Sequence, residues 1–177
     1  GLSTALAVFL GRRWFEASRD LASGRGISLE DVRWLASGSV FCAISIYAQA
    51  VLGAVPRHLD VWTIPHILWA FGVFTCVVLV ASRALSRHSH LPGLLRPAMV
   101  LLVLVVLQFF LGFTTYIVRP EGLKTPGTGL YELMASLHHA AGALMMAASV
   151  VLVIRAFQYR HILQEGAIEP RSVEGTP

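Results

Sequence analysis

Charge is what this sequence has least of. Only 14% of its 177 residues are Asp, Glu, Lys or Arg, against 55% apolar residues and a mean hydropathy of +0.66. A soluble domain carries closer to a quarter charged residues, and the surplus apolar surface here needs lipid to cover it. Cysteine is nearly as scarce. Cys42 and Cys76 are the two present, with no CxxC spacing and nothing resembling a disulfide framework or a metal knuckle. Both fall inside apolar stretches, where they are expected to be buried small hydrophobes. An initiator Met is also lacking, and the opening GLSTALAVFL is apolar but too short to cross a bilayer. It runs straight into Arg12-Arg13, the reverse of the order in a signal peptide. Residues 1–10 therefore read as the end of a preceding transmembrane helix, and the natural chain is expected to extend upstream.

The charges that are present fall in clusters. From Arg33 to Arg57 there are 23 intervening residues without an acid or a Lys/Arg, and Asp60–Arg83, Arg96–Arg119 and Glu132–Arg155 each enclose 22. A helix rising ~1.5 Å per residue needs about 20 residues to cross a ~30 Å hydrocarbon core. Four spans are therefore expected. Of 14 basic residues, 11 lie before the first span, between the second and third, or after the fourth; Arg57, Arg119 and Lys124 lie on the other side. This bias places both visible ends in the cytoplasm and accounts for the net charge of +4 without a nucleic-acid partner.

Turn chemistry divides the chain further. Residues 11–32 form an Arg-rich cytoplasmic connection, and Ser28 with Asp31 three residues on has the form of a capping box that starts the first helix near Leu29. Residues 33–157 hold the four spans, joined by short turns that force antiparallel neighbours, and 158–177 read as a polar, disordered tail. The expected fold is an all-α, membrane-embedded up-down four-helix bundle, one half of an eight-helix protein, in which the second and fourth helices stand diagonally.

Seven histidines punctuate this pattern. His88, His90 and His161 fall in polar segments, where a solvated role is the default, and His58 sits at the outer end of span one. His66, His138 and His139 lie within apolar spans, where a polar residue is costly and marks a site. His66 and His138 are each the sixth residue of a span entered from the same face, which puts them at one depth on diagonal helices. Two imidazoles so placed suit axial ligation of haem iron from both sides. His139 is the alternative to His138, since adjacent helical residues point about 100° apart. The bland reading, a hydrogen bond from each imidazole to a neighbouring carbonyl or Ser, stands beside it.

Several runs resemble a known family. Gln49 followed by Gly53-Ala54 and Arg57-His58 is similar to the end of the first helix in either half of haem A synthase. Leu107-Gln108 with Gly112 resembles the Leu-Gln-x-x-x-Gly signature of that family's third helix. Ser136-Leu137-His138 with Gly142 resembles the start of its fourth, and His66 falls where its second helix carries a haem ligand. The similarity covers roughly residues 30–157. It implies an oxidoreductase converting haem O to haem A, with haem b (iron) held by His66 and His138. It also implies placement in a bacterial cytoplasmic membrane and contact with haem O synthase, a terminal oxidase or another membrane complex. Thr63 stands where the substrate-bearing half carries a Glu, so the segment looks like the half that holds a b-type haem. Arg57 and His58, at the haem edge in that arrangement, are expected to contact a propionate, with an interfacial Arg snorkelling to lipid phosphate as the alternative. Two other classes stay open: a bis-His cytochrome subunit that only passes electrons, and a structural membrane subunit without haem.

Overall fold

A computed structural model of the chain describes residues 28–59, 63–119 and 129–168. They form four helices: α1 (Leu29–Leu59), α2 (Thr63–His88), α3 (Pro92–Ile117) and α4 (Gly129–Ile168). No strand occurs among the described residues. Each helix contains a segment long and apolar enough to cross a membrane. The 26 residues of α2 and of α3 span about 39 Å, and the 40 residues of α4 about 60 Å. The protein is thus an all-α, multi-pass membrane bundle.

Helices α1 and α2, α2 and α3, α3 and α4, and α4 and α1 pack side by side. The ring so closed leaves α1 and α3 diagonal, and likewise α2 and α4. The outward surface carries the large apolar side chains expected to face acyl chains, among them Phe41, Leu68, Val103, Phe110 and Leu144, all at least 60% exposed. Lipid is the solvent expected for these faces, because no element among the described residues covers them.

Inside the ring, packing is uneven along the axis. The buried apolar core runs through Val32, Leu35, Cys42 and Ile46 of α1, Val73 to Ala84 of α2, Leu94 to Val105 of α3 and Ala141 to Tyr159 of α4. All of these lie toward one end, which also carries Arg83, Arg87, Arg96, Arg155 and Arg160. At the far end, residues 47–55, 63–72, 106–117 and 129–140 contain no buried side chain. The core therefore closes the bundle at the Arg-rich end and leaves half-buried side chains lining the interior at the other.

Local chemistry accounts for the helix ends. Pro92 opens α3, where a missing N–H costs nothing. Ser28 caps α1 by accepting the amide of Glu30 at 3.2 Å. The reciprocal half of the expected capping box goes elsewhere: the Asp31 carboxylate pairs with Arg83 of α2, whose guanidinium also stacks over Trp34 at 5.3 Å.

Three expectations are corrected. Cys42 and Cys76 are joined as a disulfide between α1 and α2, with Cα atoms 6.0 Å apart. They are 34 positions apart in sequence, and only the antiparallel hairpin brings them together. His88 is buried at 2% exposure instead of lying in a solvated loop, because α2 continues past Arg83 and only residues 89–91 connect it to α3. The polar tail does not begin at 158: α4 extends to Ile168, and Tyr159 is fully buried, its hydroxyl end against Gly93. Residues 1–27, 60–62, 120–128 and 169–177 lie outside the described residues, and with them the expected stub and most of the Arg-rich connection.

Candidate functional site: two glutamine-held imidazoles

The far end of the bundle holds His66 on α2 and His138 on α4, both half-buried. Each stands against the helix that precedes it. The amide nitrogen of Gln49 on α1 lies 3.4 Å from Nε2 of His66 and donates to the His66 carbonyl oxygen at 3.2 Å. The amide nitrogen of Gln108 on α3 lies 3.3 Å from Nε2 of His138. The two α-hairpins thus carry one arrangement twice, a Gln from the first helix reaching the His of the second.

One turn beyond each Gln is a glycine that lets the ring in. A Cβ on Gly53 would stand 2.8 Å from Cε1 of His66, and one on Gly112 would stand 2.9 Å from Cε1 of His138. Contacts that close are not found for real Cβ atoms, so each imidazole occupies the volume that a side chain would fill. Gly142 on α4 does the same for Gln108: its Cβ would come within 3.2 Å of the amide nitrogen. Gln-x-x-Leu-Gly in α1 (49–53) and again in α3 (108–112) is therefore a packing motif, a polar holder followed one turn later by a gap for an aromatic ring.

All four residues also carry an unmet polar atom, as do Arg83 and His88 at the opposite end. Among the described residues, buried side-chain atoms without a partner include Gln49 Oε1, His66 Nδ1, Gln108 Oε1 and His138 Nδ1. Each is a strong donor or acceptor in a low-dielectric setting, where an unmet group costs about 1–3 kcal/mol. Such groups mark places where a protein does something other than pack.

His139 follows His138 on α4. The rings of His138 and His139 are 6.0 Å apart and nearly perpendicular. His139 is exposed, and its Nδ1 donates to the carbonyl oxygen of Ala135 at 2.5 Å, one turn back on its own helix. Of the two adjacent histidines, His138 is the one held by another helix. Thr63, one turn before His66, receives a hydrogen bond from Arg119, just past the end of α3, at 3.4 Å, so the side chain at that position is a hydroxyl tied to a cation. Arg57 and His58 belong to the last turn of α1, and their side chains lie outside the described residues.

Nothing in the sequence alone named Gln49 or Gln108 as partners of these histidines. Ser136 and Thr63 were the nearer polar candidates in sequence, yet Ser136 is exposed and Thr63 faces Arg119. The signal that could have found the holders was the recurrence of Gln-x-x-Leu-Gly at the same place in two hairpins.

No family model, curated protein or solved structure matches the chain. Among the described residues there is no cluster of three or more His, Cys, Asp or Glu able to hold a metal by itself. A planar cofactor whose ring nitrogens already fill the equatorial positions asks less of the protein, namely two axial donors. His66 and His138 offer two imidazoles on diagonal helices, at the end of the bundle where the interior is lined by half-buried residues.

Proposed function

We propose that this chain is a haem-holding membrane protein in which His66 and His138 are the axial ligands of a b-type haem between α2 and α4. Its role is that of the b-haem half of a haem A synthase-like oxidoreductase. The observation that carries the reading is the repeated Gln–His–Gly arrangement, which puts one glutamine-held imidazole on each of the diagonal helices α2 and α4. An intramembrane His without function would be expected to bond a neighbouring carbonyl, as His139 does.

A b-type haem bound by two imidazoles supplies one-electron transfer. The protein's part is to hold both rings, exclude water and supply an apolar cleft. Gly53 and Gly112 set how closely the rings approach α1 and α3. On the family resemblance Arg57 is assigned to a propionate and the membrane to a bacterial inner one; on the distribution of basic residues the visible ends are assigned to the cytoplasmic side. A terminal oxidase, haem O synthase or another membrane complex is the proposed partner class.

A second reading is favoured by position 63. Abstraction of a proton from a haem substituent needs a base near the ligand, and Thr63, bonded to Arg119, is not one. On this reading the segment is a bis-His electron carrier within a larger assembly. A reduced-minus-oxidised spectrum of the purified protein tests the shared core: a low-spin b-type α-band supports both readings, and a featureless difference spectrum ends both. Haem A recovered after expression with a haem O supply identifies the first reading; co-purification with an electron-transfer complex and no haem A favours the second.

A further inference from the structure

Haem ligation needs an imidazole nitrogen with a free lone pair, and a neutral imidazole has only one. Which nitrogen that is depends on the group that hydrogen-bonds the ring. The Gln49 amide settles this at His66. A backbone carbonyl oxygen only accepts, so the group that meets the His66 carbonyl at 3.2 Å is the Gln49 NH2. The second N–H of the same nitrogen is left for His66 Nε2 at 3.4 Å, which must then be the acceptor. The proton of the ring is placed on Nδ1.

We propose that Gln49 and Gln108 are positioning residues that fix the Nδ1–H tautomer of His66 and His138 and so present Nε2 as the unprotonated nitrogen. At His138 the same nitrogen of Gln108 stands 3.3 Å from Nε2. Gly142 opens the space that amide occupies, with 3.2 Å to a Cβ built there. Both contacts lie at the long edge of hydrogen-bond distances, so they bias the ring without closing it to a stronger partner. Gly53 and Gly112 complete the device by fixing the ring plane against the helix that carries the amide. Imidazole in water prefers its proton on Nε2, so an Nδ1–H form at both sites is a signature of the protein environment. This inference deepens the haem reading, but it concerns the resting state of the ring and is measurable without haem.

The test is nitrogen NMR of the full chain in lipid nanodiscs, labelled with 15N-histidine and produced without haem. The resonances of His66 and His138 are assigned by loss in His66→Ala and His138→Ala. His139 serves as an internal reference, since its Nδ1 faces the carbonyl of Ala135 and is protonated. In the unaltered chain His66 and His138 are expected to show a protonated Nδ1 and an unprotonated Nε2. In Gln49→Met the tautomer ratio of His66 should fall by about fivefold, the worth of one ordinary hydrogen bond, with His138 and His139 unmoved. Gln108→Met should act on His138 alone. A ring already protonated on Nε2 in the unaltered chain overturns the assignment, whatever the variants do. So does a tautomer ratio indifferent to the amide. If the tautomers follow the amides and the protein still takes up no haem, the proposed function fails and this assignment stands.

Discussion

At the scale of single residues, the glycines make the sharpest claim. Gly53→Ala and Gly112→Ala place a methyl at 2.8 and 2.9 Å from an imidazole carbon, and the ring must shift because the helix backbone has less freedom to move. Overpacking of this kind costs about 1–3 kcal/mol. Both variants should insert and remain helical by circular dichroism while haem retention falls several-fold. Retention equal to the unaltered chain in both would mean that the rings are not held where the structure puts them. Asp31 makes a second claim, at the opposite end. Its pairing with Arg83 is partly shielded from water, with 20% and 35% of the two side chains exposed. Asp31→Asn leaves the guanidinium without its anion and should cost about 1–2 kcal/mol, between the values for exposed and buried pairs. Thermal unfolding in detergent reads that cost, and an unchanged midpoint would show the pair to be decorative.

At the scale of elements, α1 and α2 are fastened twice, by the Asp31–Arg83 pair and by the Cys42–Cys76 disulfide. A crosslink across 34 positions typically contributes about 2–4 kcal/mol. Cys42→Ser or reduction should therefore lower the unfolding midpoint without preventing insertion, because insertion depends on the apolar spans. A midpoint insensitive to reduction would indicate free thiols. Here the limits of reading the chain in one dimension are plain. The four spans were legible because a charge-free run of 22 or 23 residues has few other uses. The disulfide was not, because two cysteines in apolar runs look the same whether or not the hairpin register aligns them. His88 was misplaced for a related reason. Polar residues after Arg83 read as a loop, yet α2 continues to His88, whose side chain is packed inside. The long α4 repeats the lesson at Tyr159. The site was half legible. Intramembrane histidines advertise themselves by their cost, but their holders, Gln49 and Gln108, are on other helices and 17 and 30 positions away.

At the scale of the whole molecule, the bundle has two unlike ends. One is closed by apolar packing and carries most of the described arginines; the other holds two glutamine-held imidazoles against Gly53 and Gly112, with no buried side chain among the described residues at that end. On the orientation proposed from the basic residues, a reporter fused after Pro177 should behave as cytoplasmic while one inserted near Gly127 behaves as external. Opposite results would invert the bundle and put the histidine end in the cytoplasm. Orientation does not change the central claim, that His66 and His138 share one haem. That claim is tested most directly by low-temperature absorption spectra of the purified protein and of three variants, His66→Ala, His138→Ala and His139→Ala. Loss of the low-spin bis-histidine spectrum in the first two, with near-normal intensity in the third, is the predicted result. A spectrum that survives either of the first two changes, or disappears only with His139, would contradict it.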